Sequence, residues 1–187
     1  LSSSSAASDV YKRQRLWDAE EQTADKITFV IKDAEGQQGY PGNAVMKVTY
    51  EVTEANELSI TYHATADKTT IFNMTNHAYF NLNGAGSGSA MEQILQIRAS
   101  HYTPVIDAKS IPTGEIASVD GTPFDFREAK PMGRDIEQAN DQLSYGHGYD
   151  HNFVLDKERA GLEKIATAYS TKSLSLIHIS EPTRLRR

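Results

Sequence analysis

The chain alternates. Met46, Val48, Tyr50 and Val52 alternate with Lys47, Thr49 and Glu51, and after the polar link Thr53-Glu54-Ala55-Asn56 the residues Leu58, Ile60 and Tyr62 alternate with Ser59, Thr61 and His63. Period-2 patterning puts successive side chains on opposite faces of a strand, and two such runs joined by a short polar link predict an antiparallel hairpin. Lys26 to Ile31 is a further β-rich run, and Gln93 to Arg98 and Leu162 to Tyr169 supply two more. A strand is predicted over Thr70 to Leu82, with Phe72 and Met74 on one face and Asn73, Thr75, His77 and Tyr79 on the other. A last strand opens after Gly146-His147-Gly148-Tyr149-Asp150, with His151, Phe153 and Leu155 on one face and Asn152 and Val154 on the other. The sole helical candidate is Asp135 to Leu143, with Ile136, Ala139 and Leu143 on one side. Repeated short strands and almost no helix predict an all-β sandwich with antiparallel sheets.

Two stretches differ from the middle in texture. Residues 1–14 (LSSSSAASDVYKRQ) and 174–187 (LSLIHISEPTRLRR) resemble translated sequencing-adaptor DNA and are read as non-native tails, leaving 15–173 as one β-sandwich domain. On that reading neither His178 nor the terminal arginines carry functional weight.

Composition narrows the chemistry. With 25 acidic and 19 basic residues the formal charge is -6, which speaks against a general nucleic-acid binder, since that needs a basic patch to displace counterions. No cysteine is present, so neither a disulfide framework nor a thiolate metal site is available. No apolar run approaches the roughly 20 residues of a membrane span. With no membrane segment and no secretory signal, the expected location is the cytoplasm.

Candidate chemistry centres on histidine, which exchanges protons near neutral pH. His77 and His151 each stand at a strand position flanked by asparagine and aromatic residues. A histidine in phase with Phe153 and Leu155 points inward, toward a core hydrogen bond or a pocket; the pocket is favoured. The polar face of the 70–82 run offers donors and acceptors of the kind that sugar hydroxyls require, although a solvated strand would look similar. His63 is read as a surface residue and His101 as structural or exposed. His147 and His151 have the spacing of zinc-binding histidines on a helix, but Gly146 and Gly148 disfavour a helix there and no HExxH glutamate is present. The Asn83 to Ser89 loop lacks the Gly-Lys-Ser/Thr ending of a phosphate cradle, and no Gly-x-Ser-x-Gly elbow appears. Paired carboxylates for glycoside cleavage stay open at this point.

The runs Thr75-Asn76-His77-Ala78-Tyr79-Phe80-Asn81-Leu82 and Gly148-Tyr149-Asp150-His151-Asn152-Phe153-Val154-Leu155 resemble the two histidine motifs of the aldose 1-epimerase (galactose mutarotase) family. Tyr102-Thr103-Pro104-Val105, Ile111 to Ile116, Gly121 to Phe126 and Gly39 to Asn43 are also similar to family motifs, in the same order, from about Leu16 to Ser173. The resemblance implies part of a galactose-mutarotase-type β-sandwich that interconverts the α and β anomers of hexoses such as glucose and galactose, without metal or organic cofactor. It implies His151 as general acid at the ring oxygen, His77 as a sugar-positioning group, and Asn152 and Phe153 as lining residues. The family's base glutamate, and its sugar-binding arginine and aspartate, match no position here; Glu158 and Glu163 do not fit the glutamate motif. The expectation is therefore a truncated member of low activity. A non-catalytic carbohydrate-binding module on the same scaffold is the alternative. A hexose-6-phosphate epimerase ranks third, since no basic cluster adjoins either histidine motif.

Overall fold

The structure, a computed structural model, describes residues 15–181. The tail 1–14 and the terminal arginines Arg184, Arg186 and Arg187 lie outside the described residues. Within that range the chain forms two compact units, 15–78 and 79–181.

The first unit is an antiparallel sheet of four strands, β1 (Asp18–Gln22), β2 (Lys26–Asp33), β3 (Ala44–Val52) and β4 (Leu58–Ala66), in that spatial order. The β3–β4 hairpin has the register that its alternation demands: Met46 faces Ala64, Val48 faces Tyr62, and Tyr50 faces Ile60. From β2, Ile31, Phe29 and Ile27 pair with the same three β3 residues, so one sheet face is apolar across three strands. Met46, Val48 and Ile31 are buried there. The opposite face carries Thr28 and Thr49, whose hydroxyls meet at 2.9 Å, and exposed His63, whose partner across the ladder is Lys47. The link closes at Asn56, a left-handed residue (φ 59°) that asparagine tolerates better than most.

The second unit holds two sheets. One has the order β11-β10-β5-β8, from β5 (Ile94–Ile97), β8 (Lys130–Pro131), β10 (Glu163–Tyr169) and β11 (Leu176–Glu181). The other has the order β7-β6-β9, from β6 (Ala99–Thr103), β7 (Ala117–Ser118) and β9 (Asn152–Leu155). Every pairing is antiparallel, as the patterning predicts. β11 lies in the stretch read from sequence as a tail. Its alternation of Ile177 and Ile179 with His178 and Ser180 is β-prone whatever its origin, and it pairs with β10 from Tyr169↔Leu176 to Glu163↔Glu181.

Two sequence expectations need correction. Residues 70–82 form no strand; the segment is irregular, and residues 75–80 are exposed. Side-chain amides take backbone donors here: Ala78 N–H donates to Asn76 Oδ1 at 2.9 Å, Leu82 N–H to Gln93 Oε1 at 3.3 Å and, just past the segment, Asn83 N–H to Asn81 Oδ1 at 3.0 Å. Asparagine side chains that capture nearby N–H groups offer the backbone an alternative to a ladder. The helix, α1, spans Asp141–Gly146 rather than 135–143. Asn140 starts it by accepting from the N–H groups of Gln142 and Leu143, while the Asp135 carboxylate is held upstream.

That carboxylate anchors the turn region. The Lys130 ammonium is buried, with side-chain exposure of 1%, and donates to Asp135 Oδ2 at 2.6 Å and to the Pro123 carbonyl at 2.7 Å. It also lies 4.3 Å from the centre of the Phe126 ring. The hydrogen bond from Lys130 is the main cause that holds the Asp135 carboxyl below its ordinary 3.8, with Arg134 adding to it against the opposing effect of burial. A depressed carboxylate contributes stability above its unfolded-state value and loses it as pH falls through the folded-state value. Replacing Lys130 by Ala removes the main partner of Asp135, which keeps Arg134 and Gln138, and is expected to cost about 1–3 kcal/mol. Urea unfolding at neutral pH measures it, and a loss below about 1 kcal/mol, the range of an exposed pair, contradicts the assignment.

Candidate functional site

His151 sits at the mouth of β9, and its ring enters the aromatic core of the second unit. That core is Tyr102, Val119, Phe124 and Leu143, with Tyr149 and Phe153 packed against it. Tyr102 and Phe124 stack at 4.7 Å with 8° between their planes. The His151 imidazole meets both edge-on, 4.7 Å from Phe124 and 5.8 Å from Tyr102. Such contacts are worth about 0.5–1.5 kcal/mol each beyond area burial, and here they also fix the plane of the ring. Tyr102 comes from β6, whose register sets it opposite Phe153 and sets Thr103 opposite Asn152.

The approach to β9 is built by α1. The helix ends with His147 in the left-handed region (φ 51°), and the Gly148 N–H reaches back to the Leu143 carbonyl at 2.9 Å. This closing turn returns the chain over the imidazole. A Cβ at Gly146 would stand 3.1 Å from His151 Cε1, tighter than most such contacts, so a larger residue there would need the ring to give by a few tenths of an ångström. His147 is exposed at the helix end while His151 lies half-buried beyond it, so the two do not share a helical face. No cluster of three or more His, Cys, Asp or Glu suited to a metal occurs among the described residues.

Both ring nitrogens have defined surroundings. Nε2 lies 3.1 Å from Gln142 Oε1. Nδ1 is buried and has no hydrogen-bond partner among the described residues; the same holds for the Tyr149 hydroxyl, which burial pushes up to about 12. Burial lowers the His151 pKa below 6.5, against a smaller opposing effect of Asp150.

The other sequence candidates are distributed differently. Asn152 and Phe153 border a hollow of about 360 Å3 whose walls include Leu95, Ile97, Leu155 and Ile165; His151 is not among them. His77 belongs to the first unit and is exposed, next to Asn76, whose amide donates to the Tyr50 hydroxyl at 3.3 Å. Glu158 and Glu163 are both engaged by Arg98, and Glu163 also accepts from the backbone N–H groups of Glu158 and Arg159. Burial alone would raise the Glu163 carboxyl, but these hydrogen bonds together outweigh it and hold the group below its ordinary value. Sequence reasoning did not identify the contacts of His151 with Gln142, Tyr102 and Phe124. Tyr102 and Phe124 were visible only as members of turn-rich motifs, and Gln142 gave no periodic signal at all.

The described residues form an almost all-β, antiparallel architecture, and the solved structures it resembles are galactose or aldose epimerases by name. The family model for aldose 1-epimerase matches residues 8–183. The aldose 1-epimerase of Escherichia coli (strain K12) is 41% identical over 157 residues, covering 84% of this chain and 44% of its own length. The galactose mutarotase of Rattus norvegicus is 38% identical over 158 residues, covering 83% of this chain and 44% of its own. A crystal structure of galactose 1-epimerase from Lactobacillus acidophilus NCFM superposes with a TM-score of 0.72 at 33% identity, covering 83% of this chain and 45% of that one. The chain belongs to the aldose 1-epimerase family. It spans less than half the length of the curated relatives it matches.

A histidine whose pKa is lowered on folding is protonated first in the unfolded chain as pH falls. Its contribution is complete above about 6.5 and is lost as pH drops through the lower folded-state value. The His151 ring resonances should therefore titrate with a midpoint below 6.5. A midpoint at or above that value contradicts the burial described here.

Proposed function

We propose that the protein acts on aldohexoses such as glucose and galactose as an aldose 1-epimerase, exchanging their α and β anomers by acid–base ring opening. His151 is the general acid at the ring oxygen. His77 hydrogen-bonds the sugar and positions it, and Asn152 and Phe153 line the site. A base takes the proton of the anomeric hydroxyl as the ring oxygen receives one; the C1–O5 bond opens, the aldehyde end rotates, and closure gives the other anomer.

The observation that carries this reading is the His151 imidazole, half-buried against aromatic rings with Nδ1 unpartnered among the described residues. Desolvation that lowers its pKa makes the imidazolium a stronger proton donor, which suits a weakly basic ether oxygen. Likeness to relatives named aldose 1-epimerase and galactose mutarotase supports the substrate class. In line with the family motif, neither Glu158 nor Glu163 is assigned as base, because both are held by Arg98. The chain alone should accordingly equilibrate anomers at least about a hundredfold more slowly than a full-length relative, the usual effect of losing one acid–base partner.

Polarimetry of freshly dissolved α-galactose and α-glucose tests the reaction. In the intact parent protein, His151→Asn is expected to lower kcat by about a hundredfold or more, and His77→Asn to impair turnover as well. Wild-type-like rates in His151→Asn overturn the general-acid role. Sugar binding without any turnover in the intact parent points to a carbohydrate-binding module in place of an enzyme.

A further inference from the structure

The second ring nitrogen of His151 is held by a side chain whose own orientation is fixed. Gln142 lies on α1, and its amide is paired with both backbone groups of Val105. The Val105 N–H donates to Oε1 at 2.8 Å, and Nε2 of the glutamine donates to the Val105 carbonyl at 3.0 Å. Rotating the amide by half a turn would set donor against donor and acceptor against acceptor, so the oxygen is identified by its partners. That oxygen is 3.1 Å from His151 Nε2. Carrying no hydrogen, it can only accept, so the hydrogen of this contact must belong to the imidazole.

We infer that Gln142 is a positioning residue for His151: it holds the imidazole as the tautomer protonated at Nε2 and leaves Nδ1 as the nitrogen that gains and loses the proton. Val105 is buried, which makes the clamp rigid. Gly146 is the complementary part, since a Cβ there would crowd the ring at Cε1, 3.1 Å away, while Nδ1 at 3.5 Å would be in ordinary contact. The opposite tautomer would point a lone pair at Oε1 and leave two acceptors facing each other in a site closed by Tyr102 and Phe124.

The inference rests on the proposed role of His151 for its mechanistic meaning. Gln142 decides which ring nitrogen titrates, with Nε2–H committed to its amide oxygen and Nδ1 enclosed under the turn at Gly146.

The test is long-range 1H–15N correlation of the histidine rings in the whole 187-residue chain, above the His151 midpoint, with its signals identified by their loss in His151→Asn. A pyrrole-type nitrogen at Nε2 and a pyridine-type nitrogen at Nδ1, with no second tautomer, is the expected pattern. Gln142→Leu should bring averaged shifts as both tautomers become populated. Gln142→Glu retains an acceptor, so it should keep the Nε2–H pattern and raise the His151 midpoint, adding a second carboxylate to that of Asp150 beside the ring. Protonation at Nδ1 in the wild type, or an unchanged midpoint in Gln142→Glu, overturns the inference even if Gln142→Leu does not fold. The spectra are recorded without sugar. A chain with the expected pattern whose intact parent does not equilibrate anomers would overturn the proposed reaction and leave the clamp standing.

Discussion

The imidazole of His151 is held by two aromatic rings and one amide, and each comes from a different part of the second unit. Tyr102 stands on β6, Phe124 follows β7 in the turn-rich segment, and Gln142 stands on α1. The β6–β9 register, the Asn140 cap and the small residue at 146 together support this position. Local structure and chemistry are thus coupled. A six-residue helix, marginal by itself, is fixed at its start by a cap and along its length by Leu143 in the core, and so delivers Gln142 to a fixed point.

Desolvation gives this arrangement its chemical character. An exposed histidine exchanges protons with water, whereas one framed by Tyr102 and Phe124 is shielded from it and is less basic. A buried nitrogen lacking a partner is costly, and native structures rarely tolerate one without a reason. At His151 the reason offered is proton transfer. Tyr149 shows the contrast: its hydroxyl is also buried and unpartnered among the described residues, but with its pKa pushed up to about 12 it stays protonated and contributes packing against Phe124 and Phe126.

How far the sequence revealed this depends on which forces were local. The β3–β4 hairpin was legible because alternation and turn chemistry act within a few residues, and its register matches the patterning residue for residue. The family motifs were legible as strings, including the glycine approach and the phase of His151 with Phe153. The 70–82 segment misled because apolar alternation shows a capacity for pairing but supplies no neighbouring strand; the side chains of Asn76 and Gln93 accept from two of its backbone donors instead. The helix was misplaced for a similar reason. Asp135, which looks like a helix start, is captured by Lys130, and Asn140, five residues on, does the capping. Gln142 was out of reach, since its role depends on Val105, 37 positions away in sequence.

The central claim is that His151 meets the sugar. Titrating galactose into the intact parent protein labelled in its histidine rings tests this directly. The account predicts a saturable displacement of the His151 ring signals by galactose and none by an open-chain hexitol, which has no ring oxygen to protonate. Saturable galactose binding that leaves the His151 signals where they were would contradict it.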